Sequence, residues 1–385
     1  MRFIHTADWH LGRLMHGVHL TEDQAHVLDQ FVLLVKEAKA DLVIVAGDIF
    51  DRAVPPTEAV SLLDDVLSRL VLDLGVPVIL IAGNHDSAPR LQFGSKLLAE
   101  ERLYVFGALS SDVPIVTLED QWGPVECAAI PYSEPSVLRE CFSEASISNH
   151  QEAFQFLLGN LQFNAQARRR TVLVAHAFVG DGVPSESERP LSVGGFDRVD
   201  AGLFREAHYA ALGHLHRPQS AGCDHVSYSG SLLKYSFSES DHVKGVNVVE
   251  MNQDGVCKIE RVSLTPRRDV RRIEGLLKDL LKGPQAGESR DDYVCAVVTD
   301  KEPILDVMGK LREVYPNVLH IERPFFDAYR GSQGNRADYR KLNDIDLFKT
   351  FFREVTGQEL NAEHIEAYRS VIEDLRKSQS EETAR

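Results

Sequence analysis

Short apolar, β-branched runs alternate with longer stretches of helical spacing through the first hundred residues. Arg2–Thr6 predicts a first buried strand. Residues 19–40 then place Val27, Leu28, Phe31, Leu34, Val35 and Ala38 at helical intervals. Leu42–Ala46 (LVIVA) predicts a second buried strand, and Pro55-Pro56-Thr57 starts a helix running to about Leu72. Residues 78–82 (VILIA) predict a third strand and residues 90–100 another helix. Strand, helix, strand, helix, strand implies parallel βαβ units and a sheet covered on both faces. Ligands of such sheets bind beyond the carboxyl ends of the strands. Asp8, Asp48 and Asn84 all fall there.

Residues 103–130 read as shorter strands broken by turns, and residues 135–167 as mostly helical. Residues 171–175 (TVLVA) predict a further buried strand, with His176 directly after it. Residues 178–200 are polar and rich in Gly, Ser and Pro; a loop of about this length in a compact domain is unusual and often functional. Its position directly after His176 predicts a wall or lid of the site. Residues 209–212 lead into Gly213-His214, and residues 225–263 alternate like antiparallel strands that place a second sheet against the first.

Thr265-Pro266-Arg267-Arg268 predicts a domain boundary. Residues 267–325 read as a small α+β unit, with helices near 273–282 and 303–314 and strands at 293–299 and 317–322. Residues 327–343 are a polar linker. Two amphipathic helices follow. The first carries Ile345, Phe348, Phe351, Phe352 and Val355; the second, after an N-cap at Asn361, carries Ile365, Tyr368, Ile372 and Leu375. A pair of aromatic-faced helices after a polar linker predicts docking on a partner.

Charge changes the picture of what that partner must do. The chain of 385 residues carries a formal net charge of −16. Residues 266–385 hold 21 basic and 23 acidic side chains, a net of −2, so residues 1–265 carry the remaining −14. An acidic domain repels a polyanion unless cations offset it. The five cysteines are scattered and show no CxxC, which disfavours a thiolate metal site and fits reduced thiols in the cytoplasm. No apolar run approaches the roughly 18 to 20 residues of a membrane span, and the first residues pass straight into a strand rather than an export signal.

Five short pieces carry the chemistry: Asp8-Trp9-His10, Gly47-Asp48 with Asp51, Gly83-Asn84-His85-Asp86, His176, and Gly213-His214-Leu215-His216. Each follows an apolar run, so each is expected where a buried strand opens into a loop. Together they supply Asp, His and Asn, the donors that bind two adjacent divalent metals. A hydroxide able to attack phosphorus at neutral pH needs a lowered pKa, and two cations sharing it provide that. Asp48 is a short carboxylate suited to bridge them. Asp8 and His10 lie two apart on a segment read as extended, so both side chains can reach one metal; His214 and His216 repeat the spacing. Oxygen and imidazole donors without thiolate suit Mn²⁺, Fe²⁺ or Zn²⁺ better than Ca²⁺. His85 is placed to protonate a leaving alkoxide, with Asp86 to orient it, and Gly83 is expected to permit a tight turn. The chain has no Gly-x-x-x-x-Gly-Lys-[Ser/Thr], so it is not itself an ATPase of that class.

The set Asp-x-His, Gly-Asp-x-x-Asp, Gly-Asn-His-Asp, His and Gly-His-x-His resembles the calcineurin-like metallophosphoesterase superfamily. Within it, the wording HTADWHLG at 5–12, VAGDIFDRAVPP at 45–56, AGNHDS at 82–87 and ALGHLHRPQ at 211–219 is similar to the nuclease subunits of the double-strand-break repair nuclease family. That resemblance implies an α/β fold: a four-layer core of two packed β-sheets flanked by helices, with a small α+β capping domain and C-terminal partner-binding helices. It implies a nuclease domain at 1–265, a DNA-binding capping domain at 266–326, a linker at 327–343, helices at 344–377 that bind the coiled-coil base of an SbcC-like ATPase, and a polar tail at 378–385. It implies a first metal held by Asp8, His10, Asp48 and His216, a second held by Asp48, Asn84, His176 and His214, and His85 as the catalytic histidine. The metals would be two Mn²⁺. The substrate would be DNA, as double-stranded ends and hairpins, cut exonucleolytically and endonucleolytically in recombination, replication and repair. Relatives often carry a histidine where Asp51 stands, and Asp51 is expected to support a metal-ligand histidine. The family also dimerises through helices of the phosphoesterase domain, here those after Pro56 and Pro89, with Leu62, Leu63, Val66 and Leu67 as contacts. The rival reading is a phosphatase or small-nucleotide phosphodiesterase on the same metal core, with Arg52 gripping phosphate; the long C-terminal extension argues against it.

Overall fold

The computed structural model describes residues 1–109, 112–142, 147–161, 169–189, 191, 198–325, 344–356, 359–368 and 370–371. The expected linker, the tail, Ile372 and Leu375 lie outside these residues. The chain divides into two compact units, Met1–Val270 and Arg271–Arg385.

Two six-stranded sheets build the first unit. One runs, edge to edge, Cys257–Ser263, Gly245–Met251, Arg2–Thr6, Leu42–Ala46, Val78–Ile81, Leu103–Phe106. Its last four strands are parallel, and Gly245–Met251 joins antiparallel to Arg2–Thr6. The other runs Gln219–Ala221, Cys223–Tyr228, Tyr209–Gly213, Arg170–His176, Gly123–Ile130, Ile115–Asp120. Its four central strands are parallel and both edges antiparallel. All five residues of Leu42–Ala46 are buried, as a strand covered on both faces requires.

The period of two along each strand sorts side chains between layers. Phe3, Ile44, Ala46, Ile79 and Ile81 of one sheet meet Cys127, Ala129, Val172, Val174 and Ala211 of the other in one core. Ile130, Leu173, Ala175 and Leu212 turn outward and pack with Leu138, Phe154 and Leu157 from the helices Pro135–Cys141 and His150–Asn160. On the far side, Thr21–Ala38 buries Val27, Leu28, Phe31 and Val35 and packs against Thr57–Ser68. Four layers result. Every parallel strand that leads to a candidate ligand ends at the same edge of this sandwich.

Several elements differ from the sequence reading. Residues 88–101 form two one-turn helices, Ala88–Leu91 and Ser95–Leu98, and a 3-10 turn, Ala99–Glu101, because the chain turns at Gly94 with φ +74°. Strands from 223–263 do not make a separate sheet: Cys223–Tyr228 joins the second sheet, whereas the other two complete the first. His176 is the last residue of its strand. At the start of the second unit, Val270–Gly275 is a strand, not a helix, and of residues 273–282 only Leu277–Leu280 is helical. That strand forms a sheet with Tyr293–Val298 and Val318–Glu322, whose core includes Val294, Ala296, Leu311 and Tyr315. Leu63 and Val66 are buried in their own domain, so they are not surface contacts. The exposed apolar side chains of those segments are Val60, Leu72, Phe93, Leu97 and Leu98.

Three glycines let the strand ends close. A Cβ on Gly213 would lie 1.8 Å from the Ala46 carbonyl oxygen, across the two sheets. One on Gly47 would lie 2.3 Å from His176 Nδ1, and one on Gly83 would lie 2.3 Å from the Asp48 backbone nitrogen. Gly83 has no positive φ, so space, not a special turn, requires glycine there. Gly213→Ala must push two backbones apart, a cost of about 1–3 kcal/mol. The expected outcome is a melting temperature several degrees lower by scanning calorimetry; an unchanged value would mean the sheets part freely at this point.

Candidate metal centre

Each candidate ligand leaves the end of a parallel strand: Asp8 and His10 after Arg2–Thr6, Asp48 after Leu42–Ala46, Asn84 after Val78–Ile81, His176 at the end of its own strand, and His214 and His216 after Tyr209–Gly213. The two sheets therefore deliver ligands from opposite sides. The segments are not extended as expected. Asp8, His10, Asp48 and His214 have φ of 54°, 46°, 50° and 108°. Non-glycine residues in this region cost about 1–3 kcal/mol each and persist only where surroundings enforce them. The Asp8 and His10 amides bond to the carbonyls of Gly47 and Asp48, at 3.0 and 2.9 Å. Gln24 reaches from the first helix to the carbonyls of Trp9 and His10, at 3.2 and 2.7 Å, and accepts from the Gly12 amide.

The side chains converge. His10 Nε2 lies 3.0 Å from His216 Nε2. Asp48 Oδ2 lies 3.6 Å from His10 Nε2 and 3.6 Å from His176 Nε2. Asn84 Oδ1 lies 3.0 Å from His176 Nε2 and 3.3 Å from His214 Nδ1. Asp8, His10 and His216 form one group whose ligand atoms lie within 4.8 Å of one another; Asp8, Asp48 and His176 form a second. His214 and His216, two apart in sequence, thus reach different neighbours.

The centre is buried, and burial sets its protonation. Burial, then the negative charge of Asp48, pushes the Asp8 carboxyl well above the ordinary carboxylate range. Burial, then neighbouring histidines, holds His10 and His214 well below the usual imidazole range; burial lowers His176 too, against the pull of Asp48. These imidazoles are neutral at pH 7 and offer lone pairs. His176 is fixed for that purpose: its Nδ1 meets the Ala46 carbonyl at 2.9 Å, so that nitrogen carries the proton and Nε2 is free to ligate. Asp8 Oδ2 and His10 Nδ1 are buried without a hydrogen-bond partner. Orphaned polar atoms of this kind are costly unless a cation or other group occupies the space they face. Carboxylate, amide and imidazole donors without thiolate fit divalent transition metals.

The carboxylate of Asp86 is placed otherwise than expected. The Asp86 carboxylate is not what orients the His85 ring. It accepts backbone N–H groups of Ile49, Phe50 and Gly83, at 3.0, 2.9 and 2.9 Å, and so ties two ligand loops together. Burial, then Asp48, pushes its carboxyl up to about 7. His85 is instead oriented by a backbone group: its Nδ1 meets the Asp51 carbonyl at 2.8 Å, and its N–H donates to Asp48 Oδ1 at 2.9 Å. The Asp51 side chain accepts from Arg13 at 2.9 Å and lies 3.7 Å from His10 Nδ1. His10, Asp51 and His85 make a third cluster of donor atoms. Arg52 is exposed.

The sequence reading missed Gln24, Ser187, Glu188, Tyr235, Glu239 and Lys244, which surround the ligand loops. Gln24 had a signal: it is a polar residue on the buried face of a helix, one turn before Val27 and Leu28. The others come from irregular stretches with no period to mark them.

Residues 1–218 match the calcineurin-like phosphoesterase family, and residues 266–356 match a family described as the type 5 capsule protein repressor C-terminal domain. The chain is 33% identical over 360 residues to the D subunit of nuclease SbcCD from Staphylococcus saprophyticus, covering 94% of each protein. It is 33% identical over 362 residues to the D subunit of nuclease SbcCD from Staphylococcus epidermidis, covering 94% of this chain and 95% of that one. A solved dimetal phosphatase from Danio rerio aligns at 14% identity over 69% of this chain and 99% of its own, with a TM-score of 0.39.

Metal-stripped protein given Mn²⁺ should take up two ions per chain by elemental analysis. At a hundredfold excess over the dissociation constant, each ion should stabilise the fold by about 2.7 kcal/mol. Asp48→Ala should hold fewer than one ion per chain; two ions in that variant would exclude a shared carboxylate.

Proposed function

The chain belongs to the calcineurin-like phosphoesterases and, within them, to the family of the SbcCD nuclease D subunits, and from that premise we propose that it is a Mn²⁺-dependent DNA nuclease subunit acting with an SbcC-like ATPase. It would hydrolyse phosphodiesters exonucleolytically at double-stranded ends and endonucleolytically in single strands and hairpins, in DNA recombination, replication and repair. The observation that carries this reading is the single oxygen Asp48 Oδ2, 3.6 Å from a histidine nitrogen on either side. One carboxylate equidistant from two donor sets is what a pair of adjacent cations needs.

Asp8, His10, Asp48 and His216 would hold one cation, and Asp48, Asn84, His176 and His214 the other. When bound, such a pair lowers the pKa of an attacking water and offsets negative charge on the phosphoryl oxygens. The remaining work falls to the chain's own groups. The Asp51 carbonyl only accepts, so His85 Nδ1 carries its proton toward it. In the imidazolium form a second proton sits on Nε2, and it is this one that passes to the departing sugar oxygen as the phosphorus–oxygen bond breaks, leaving His85 neutral. Asp86 keeps the loops of Asp48 and Asn84 in register, and Asp51 steadies both His85 and Arg13.

The same proposal assigns residues 1–265 to the nuclease domain, 266–326 to a capping domain, 327–343 to a linker and 344–377 to ATPase docking. Support for the last comes from the helices themselves. Phe348 stacks on Tyr368 at 4.1 Å and 7°, and Phe352 lies 5.1 Å from His364. The Asn361 side chain caps the second helix through the His364 amide. The Asp344–Thr356 helix and residues 362–368 thus form a pair, and Phe351 stays exposed for a partner. Exposed Val60, Leu72, Phe93 and Leu97 suit a homodimer contact. With 58 acidic against 42 basic residues, the chain needs its partner to grip DNA. Among the described residues no helix is long and apolar enough to cross a membrane.

In Mn²⁺, the chain should cut a hairpin oligonucleotide, faster with the ATPase, and leave a phosphopeptide intact; preference for the phosphopeptide would favour the phosphatase reading. His85→Ala should lower turnover of the hairpin by about 10²–10⁴-fold while the metal content stays at the wild-type level. Wild-type turnover in that variant would remove the proton-donor role.

A further inference from the structure

His216 is held differently from the other histidines of the centre. His176 Nδ1 meets a backbone carbonyl, His214 Nδ1 faces Asn84 Oδ1, and His10 Nδ1 has no hydrogen-bond partner. His216 is gripped at every polar atom but one. Its N–H donates to Glu188 Oε1 at 2.7 Å, and its carbonyl accepts from Lys244 Nζ at 2.8 Å. Its Nδ1 lies 2.6 Å from Ser187 Oγ. The exception is Nε2, which points at His10 Nε2.

Behind Ser187 sits an ion pair that the proposed function does not use. Glu239 is fully buried and Lys244 is 5% exposed, with Oε2 and Nζ 2.5 Å apart. Lys244 also donates to Ser231 Oγ at 2.9 Å and lies 3.3 Å from His242 Nδ1, so its ammonium is surrounded by His216, Ser231, Glu239 and His242. Glu239 Oε1 accepts from the Tyr235 amide and the Ser236 hydroxyl, each at 3.2 Å, and from the Ser187 hydroxyl. A buried pair of this kind gains little net stability over apolar replacements.

The proton positions follow from this wiring. Ser187 has one hydroxyl proton and gives it to Glu239. Its oxygen must therefore accept from His216, so the imidazole proton sits on Nδ1 and the lone pair on Nε2. An imidazole whose N–H leans on an anion, here through one hydroxyl and with Glu239 Oε1 itself 3.5 Å from Nδ1, is held in one tautomer and is a stronger donor to a cation. We propose that Ser187 and Glu239 are positioning residues that fix the tautomer and orientation of His216 for cation binding, and that they set the affinity of the site it shares with Asp8 and His10. This rests on the two-cation reading of the centre. Because Ser187 and Glu239 bear on His216 while His176 is fixed by the Ala46 carbonyl, the effect falls on one of two sites.

The test is titration of the metal-free, full-length chain with Co²⁺, followed by visible absorption and calorimetry, alongside melting temperatures of the metal-free variants. In Ser187→Ala, one of two Co²⁺ dissociation constants should rise roughly ten- to hundredfold, the other should not move, and the absorption bands of the affected site should shift. Ser187→Thr, which keeps the hydroxyl, should restore both affinity and spectrum. Glu239→Gln should move the same single constant; if it does not fold, the Ser187 pair decides alone. Unchanged constants and spectrum in folded Ser187→Ala would overturn the proposal. So would an equal weakening of both sites that Ser187→Thr does not rescue, the signature of a purely structural network. A wild-type chain that binds fewer than two Co²⁺ would instead remove the two-cation reading beneath it.

Discussion

The structure depends on how closely two sheets approach at one edge. The Ala46 carbonyl of one sheet passes so near Gly213 of the other that no side chain fits between them. The same contact lets that carbonyl meet His176 Nδ1, which fixes the imidazole for ligation from the opposite sheet. Gly47 and Gly83 meet the same limit against His176 and Asp48. Widen the gap, and Asp48 Oδ2 could not stand equally far from His10 and His176. Packing of apolar strands thus sets distances between charged groups that no local bond controls. Strained backbone at Asp8, His10, Asp48 and His214 is tolerated because that packing and the loop hydrogen bonds enforce it.

Much of this was legible in the sequence. The runs LVIVA, VILIA and TVLVA announce strands buried on both faces, and their order announces parallel pairing. The candidate ligands follow those runs directly, so strand ends locate them. Other parts were hidden for physical reasons. Sheet membership of 223–263 depends on tertiary pairing, which alternation does not encode. Asp86 stands beside His85 in sequence, but its carboxylate is taken by three backbone amides, and a carbonyl orients His85 in its place. The Glu239–Lys244 pair lies in an irregular turn, where neither period nor motif marks a buried charge.

A division of labour follows from charge. The unit that carries the centre is strongly acidic, and its buried carboxylates raise one another's affinity for protons or cations. In the proposed reading, divalent metals relieve that repulsion locally, and a partner supplies the attraction for DNA that this chain lacks. The same buried centre explains why its histidines are neutral lone-pair donors: burial lowers their proton affinity before any cation arrives.

In the proposed reading, Asp48 joins two cations into one centre. Electron paramagnetic resonance of the chain loaded with two Mn²⁺ tests it most directly. A shared carboxylate predicts an exchange-coupled pair, with the multiline spectrum of two interacting ions. The simple hyperfine pattern of isolated Mn²⁺, at two ions per chain, would contradict it.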